Sequence, residues 1–275
     1  MAKSPNTDNY TLGKGVVYFN QLVSDEYTGE RDLGNAPAFT FNIALEKLEH
    51  YSSRGGLKAK DKEIISQITP GLSFTLDEVN KENFALLTLG TITATTQAGA
   101  TITDEEIKDA HLGMRMLTSK RAISAVIIGD DATPTITYVA GPASNPLANY
   151  EISTTLKDAV IGRILIHEDQ SGCVAKITEG QTLFVDYTSG AIAYDKISAF
   201  ANTQVEGFLR FVSDNPAGLQ QELQVWRVSL TPSGDTALIG DDWSTLGFTG
   251  EILKDETNHA SSPYADIIMN QVSTA

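Results

Sequence analysis

The chain has 275 residues, enough for one large domain or two modest ones with a real hydrophobic core. Its 20 Lys and Arg against 35 Asp and Glu give a formal charge of 20 − 35 = −15, which excludes a broad basic grip on nucleic acid or on an anionic membrane surface. With 41% hydrophobic and 20% charged residues the chain is expected to fold, and a single cysteine, Cys173, excludes a disulfide framework or a multi-cysteine metal site.

In chain order, residues 1–9 are polar and lack the apolar centre of a signal peptide, so the expectation is a soluble protein folded in a reducing cytoplasm. Residues 15–20 read as a first strand. Phe39, Phe41, Ile43 and Leu45 then take every second position, as do Leu72, Phe74 and Leu76. A period of two places each set on one face of a sheet. Asp77 is a candidate cap for a helix over 78–89. Residues 83–103 carry no charge, but seven threonines and two glycines make them too polar to span a membrane. Residues 91–103 suit a linker, and Thr103-Asp-Glu-Glu106 has the reciprocal capping pattern of a short helix running towards Ala110.

From about 113 to 190 the pattern changes to short strand candidates (122–128, 135–139, 163–167, 182–188) broken by Pro134, Gly141-Pro142 and Pro146, the spacing of a small sandwich. After Gly190 stronger alternation returns at 206–212, at Trp226, Val228 and Leu230, and at 246–253. Gly15-Val-Val-Tyr-Phe19 and Gly207-Phe-Leu-Arg-Phe211 share a faint repeat. The predicted class is mainly β: a sandwich or barrel with one flanking α-helix, interrupted by an inserted small β-sandwich domain. The predicted boundaries are 1–95, 96–190 and 191–275.

Motifs for chemistry fail on spacing. Gly13-Lys14-Gly15 lacks the third glycine of a dinucleotide fingerprint, since Tyr18 stands there. His50, His111, His167 and His259 have no metal-binding spacing and read as solvated or strand-edge residues. Cys173 has no partner base and reads as a small buried hydrophobe. Asp130-Asp131 and Asp241-Asp242 each follow a glycine, where Asp accepts backbone hydrogen bonds in turns. The expectation is no catalytic residue, no metal and no cofactor, and a protein that is not an enzyme.

One segment looks purposeful. His50, Tyr51, Ser52, Ser53, Arg54, Lys58, Lys60, Asp61 and Lys62 lie between two alternating strands, in what reads as a long hairpin loop over 49–64. Residues 50–62 gather four cations, Arg54, Lys58, Lys60 and Lys62, against one carboxylate, Asp61. A basic loop on an acidic body can dock on the acidic surface of a neighbouring copy.

A family resemblance runs through the same residues. Leu12-Gly-Lys-Gly-Val-Val-Tyr-Phe19, Asp32-Leu-Gly-Asn35, Phe39-Thr-Phe-Asn42, Leu48-Glu-His-Tyr-Ser-Ser-Arg-Gly-Gly56 and Leu72-Ser-Phe-Thr-Leu-Asp77 carry it in the first half. Val205-Glu-Gly-Phe-Leu-Arg-Phe211, Leu238-Ile-Gly-Asp-Asp-Trp243 and Leu246-Gly-Phe-Thr-Gly-Glu-Ile-Leu-Lys-Asp255 carry it in the second. The chain resembles the major tail tube proteins of long-tailed, non-contractile bacteriophages. That resemblance implies a tail-tube β-sandwich assembled into rings, expected to be hexamers, that stack into a hollow tube. Ring contacts would come from the loop at 49–64 and from terminal arms at 1–11 and 259–275. The implied partners are further copies of the chain, a tape-measure protein, tail terminator and tip proteins, and double-stranded DNA as passing cargo, without membrane insertion. The implied location is the virion tail tube, assembled in the bacterial host cytoplasm. An alternative from the residues is a β-sandwich carbohydrate-binding or adhesin-like module using Tyr138, Tyr150 and Tyr187 as an aromatic platform.

Overall fold

The computed structural model describes residues 10–155 and 157–269. The protein is mainly β and antiparallel, and it divides into two compact units, Met1–Thr93 with Ile197–Ala275, and Ala94–Lys196.

The first unit begins with β1 (Gly15–Val23), β2 (Glu26–Tyr27), β3 (Arg31–Asp32), β4 (Ala38–Ser52), β5 (Ala59–Leu76), helix α1 (Lys81–Leu87) and β6 (Thr91–Gln97). The second unit follows with β7 (Ala100–Ala110), β8 (Arg115–Leu117), β9 (Ile123–Gly129), β10 (Tyr150–Glu151), helix α2 (Asp158–Ile161), β11 (Arg163–Ile166) and β12 (Gln181–Ser189). Then β13 (Ile192–Ser198) leads back to β14 (Val205–Ser213), β15 (Gln221–Pro232), β16 (Leu246–Ile252) and β17 (Ala265–Met269). β6 and β13, where the chain leaves and re-enters the first unit, pair with each other.

The large sheet runs β2-β1-β14-β15-β16-β5-β4, with β3 also on β1 and β17 also on β15. It curls without closing: Phe39 on β4 stacks on Phe211 of β14 with ring centroids 4.9 Å apart, although three strands lie between them. Inside the curl are Val17, Phe19, Leu72, Phe74, Val225 and Phe248, among others. The five-residue repeat has a physical reason. β1 and β14 are antiparallel partners, Val17 opposite Phe211 and Phe19 opposite Leu209, so each phenylalanine lies over the other strand's glycine. A Cβ on Gly15 would meet the Phe211 ring at 2.6 Å, and one on Gly207 the Phe19 ring at 2.7 Å.

A bulge pairs Gly207 with Val228 but Leu209 with Val225, leaving Trp226 and Arg227 opposite one residue. The expected shared face of Trp226, Val228 and Leu230 therefore breaks. Val228 and Leu230 are buried, whereas Trp226 stacks on His259 at 3.6 Å and donates its indole N–H to the Ser262 carbonyl at 2.8 Å. The bulge also divides β15's outer edge, with β16 pairing at Val228–Pro232 and β17 at Gln221–Val225. The segment expected to be a free C-terminal arm is thus docked on its own sheet through residue 269; residues 1–9 and 270–275 lie outside the described residues.

The helix expected over 78–89 is shorter. Asn80 caps it by accepting from the Asn83 N–H at 2.7 Å, because an asparagine three residues closer to the first full turn outcompetes Asp77, whose side chain instead accepts from Asn35 at 2.6 Å. The expected linker at 91–103 and helix at 103–110 are strands β6 and β7, since Thr-rich, β-branched sequence packs well on a pleated surface.

In the second unit, sheets β10-β11-β8 and β7-β12-β9 share a core that includes Ile107, Ile128, Tyr150, Ile164, Leu183 and Tyr187. Residues 135–139 form no named strand; a bridge from Gly129 to Thr137, the Tyr138 N–H on the Ile128 carbonyl, and the bonds of Ile136 with Asp130 and of Val139 with Asn149 hold them. Tyr138, Tyr150 and Tyr187 are all buried, so they cannot form an exposed platform. Burial pushes the Tyr150 hydroxyl up to about 12, and it donates to the Val126 carbonyl at 2.9 Å. His167, expected at a solvated edge, is buried in a polar cluster: its Nδ1 lies 3.0 Å from the Ala148 carbonyl, and Asn149 donates to Gln170 Oε1 at 2.7 Å. Cys173 is buried and free.

Candidate assembly surface

The segment expected as a loop at 49–64 is mostly strand. β4 and β5 pair from Ala38 opposite Thr75 out to Ser52 opposite Ala59, leaving only residues 53–58 as the turn. His50, Tyr51 and Ser52 are on β4 and Lys60, Asp61 and Lys62 on β5; Ser53, Arg54 and Lys58 are in the turn. The correction follows from alternation continuing past the core: a hairpin whose backbone bonds are satisfied in register extends as long as its residues tolerate the pleat.

The hairpin changes character along its length. Phe39 and Phe41, opposite Phe74 and Leu72, pack on the core. From 42 to 69 every residue except Ser52 is exposed. This outer half is a two-stranded ribbon with water on both faces. Ile43 and Leu45, opposite Pro70 and Ile68, continue the core-facing stripe beyond the core. Leu48, 63% exposed, sits opposite Ile64 on the other face. β4 is the outermost strand, and among the described residues no strand pairs with its free edge. Long exposed edges with apolar side chains are what proteins normally shorten, charge or cover.

Two bulges on β5, at Ser66 and at Asp61, reset the faces along the ribbon. Lys47, Glu49 and Glu63 between them, with Tyr51 and Lys60 just past the Asp61 bulge, share one face. Lys60 bonds Glu49 and Glu63, Lys47 bonds Glu63 at 2.6 Å, and Tyr51 donates to Glu49 at 2.6 Å. Lys47 and then Lys60 hold the Glu63 carboxyl down at about 2; Glu49 and then Glu63 raise Lys60, and Lys60 with Tyr51 lowers Glu49. His50 Nδ1 lies 2.5 Å from Asp61 on the opposite face. The ribbon therefore neutralises Lys47 and Lys60 internally, and Asp61 is bonded to His50. Arg54, Lys58 and Lys62 have no carboxylate partner among the described residues.

A second exposed apolar group lies in the β15–β16 connection, residues 233–245. Leu238 is 79%, Trp243 93% and Ile239 97% exposed. Asp241-Asp242, expected to accept backbone hydrogen bonds in a turn, lie here without such a bond among the described residues, whereas Asp130 and Asp131 make theirs. Elsewhere on this unit a cavity of about 520 Å³ is lined by Tyr27, Phe208, Arg210, Trp226, Asp255 and His259. Arg210 inside it is spent on Glu30, at 2.8 Å, and on Glu222.

Among the described residues, no group of three or more His, Cys, Asp or Glu is placed to hold a metal ion, and no helix is long and apolar enough to cross a membrane. Residues 10–268 match the model of a family described as a protein of unknown function, UCP028589. The chain belongs to that family. No curated protein matches it.

Proposed function

We propose that this protein is a structural, self-assembling conduit of the phage tail-tube type, not an enzyme: copies join into rings and the rings stack into a hollow tube that passes DNA. The observation that carries the reading is the outer half of the β4–β5 hairpin. An isolated two-stranded ribbon is marginal in water, and this one carries Ile43, Leu45, Leu48, Ile64, Ile65 and Ile68 exposed. Burying that apolar surface against identical copies supplies the stabilisation one copy lacks.

Other features support the same reading. The large sheet curls but does not close, so its edge is available to a neighbour's strand. A net charge of −15 leaves few sites that would hold DNA phosphates, and a duplex could slide past such a wall. The tail-tube fold, the ring of six, the tape-measure, terminator and tip partners and the virion location all follow from the sequence resemblance and belong to this proposal.

Electron microscopy of the purified protein across a concentration series tests it. Rings or hollow filaments are expected above a threshold concentration. A monodisperse monomer at every concentration would overturn it. Glycan binding, the alternative, keeps one feature in its favour, the cavity beside Phe208 and Trp226; clear hits on a glycan array without assembly would favour it.

A further inference from the structure

The hairpin tip and the 233–245 loop lie at opposite ends of the same strands. β5 runs from Ala59, beside the tip, to Leu76, and β16 pairs with its far end, Leu246 opposite Leu76 and Gly250 opposite Leu72. The Ser233 N–H donates to the Gly247 carbonyl at 2.9 Å, which closes the loop beside that far end. The 18 residues of β5 span about 60 Å at strand rise. One surface therefore points out of each end of the first unit.

The two surfaces complement each other in charge and in greasiness. At the tip Arg54, Lys58 and Lys62 have no carboxylate partner among the described residues, on a chain of −15, while Lys60 is held by Glu49 and Glu63. At the centre of the tip is Leu57, 86% exposed. Residues 233–245 hold Asp235, Asp241 and Asp242 and no cation, a net −3. None of these three carboxylates has a partner among the described residues, and Leu238, Ile239 and Trp243 are exposed in the same loop.

We infer that the 233–245 loop is the acceptor for the hairpin tip of a second copy of this chain: Leu57 packs against Trp243 and Ile239, and Arg54, Lys58 and Lys62 face Asp235, Asp241 and Asp242. This deepens the proposed function and rests on it. The contact joins unlike surfaces at opposite ends, so it is heterologous and each copy leaves a fresh tip and a fresh acceptor, which propagates a filament. Aromatic anchors ringed by charge are the usual energetic centre of such contacts. The unpaired cations and carboxylates would steer the approach and reject the reversed orientation, in which like charges meet.

Charge reversal tests the pairing in full-length protein. Arg54→Glu with Lys58→Glu, and separately Asp241→Lys with Asp242→Lys, are each expected to raise the concentration needed for filaments by about tenfold or more, because like charges then face each other. The four-residue combination is expected to return it to within about threefold of the original. Circular dichroism and thermal melting confirm folding of each variant. Assembly of either two-residue variant at the original threshold, or no recovery in the combination, overturns the pairing while leaving the conduit reading intact. Failure of the unaltered protein to assemble at all overturns both. As an independent readout, Trp243 emission, taken as the difference from Trp243→Phe, is expected to shift to the blue on assembly; an unshifted emission overturns the pairing.

Discussion

The two halves of the β4–β5 hairpin are built from one alternating sequence and meet opposite fates. In the inner half Phe74 stacks on Phe248 with centroids 5.1 Å apart, and Leu72 and Phe74 are buried. In the outer half the same every-second-residue rhythm presents Ile43, Leu45 and Ile68 to water. The difference lies in what is underneath. The curled sheet has β14 and β15 to place beneath Phe39 and Phe74, and nothing among the described residues of one copy to place beneath Ile43 and Ile68. The second unit makes the opposite point: its two small sheets bury Tyr138, Tyr150 and Tyr187 against each other, even though the sequence offers these tyrosines as a surface platform.

Paired substitutions sharpen this comparison. Phe74→Ala, at a buried stacked ring, is expected to cost about 3–5 kcal/mol of monomer stability in urea unfolding. Ile64→Ala on the ribbon is expected to cost under about 0.5 kcal/mol in the same assay, since surface changes seldom exceed that, while raising the assembly threshold. Equal losses at both positions would break the distinction between the halves. Gly207→Ala forces a Cβ against the Asn20 carbonyl and the Phe19 ring, and should cost about 1–3 kcal/mol by the same measurement. In the second unit, Asn149→Ala leaves the Val139 N–H and the Gln170 and Ala175 acceptors without the bonds they now make. It is expected to cost about 1–3 kcal/mol, read as faster limited proteolysis within residues 94–196.

The smallest effect is on pH. Glu63 is lowered from 4.5 to about 2 by Lys47 and Lys60. A carboxyl lowered in the folded state stabilises above its unfolded value, so this contribution is complete above about 4.5 and disappears as pH falls towards 2. The group is exposed, so the loss should be slight and muted by salt. Amide exchange at Ile64 and Ile65 that speeds up on acidification more at low salt than at high salt would bear it out; identical behaviour at both would count against it.

Much of this was legible in the sequence, and the failures have physical causes. Alternation at Phe39–Leu45 and at 72–76 is visible because period two needs no tertiary knowledge. Where the core stops beneath the stripe is not visible, because the same residue types serve both halves, so the outer ribbon looks like a loop in the sequence. At β7 the inward positions are 102, 105, 107 and 110. Bulges marked by Asp104 and Asp109, at φ 57° and 53°, stretch the spacing to three, two and three. Such spacing imitates a helix, and with Thr103 and Glu106 in capping positions the wrong period won. The bulge at Trp226 hid a face in the same way. Asp241 and Asp242 stand out in the sequence, but a sequence does not show that Trp243 beside them is left exposed by the described residues.

The central claim is that the outer hairpin is completed by other copies. Hydrogen exchange of amides in residues 43–52 and 59–68, measured below and above the assembly threshold, tests it most directly. The account predicts exchange in the dispersed protein much faster than in the strands β14 and β15, and strong protection on assembly. Protection of the ribbon equal to those core strands before assembly, or no gain on assembly, would contradict it.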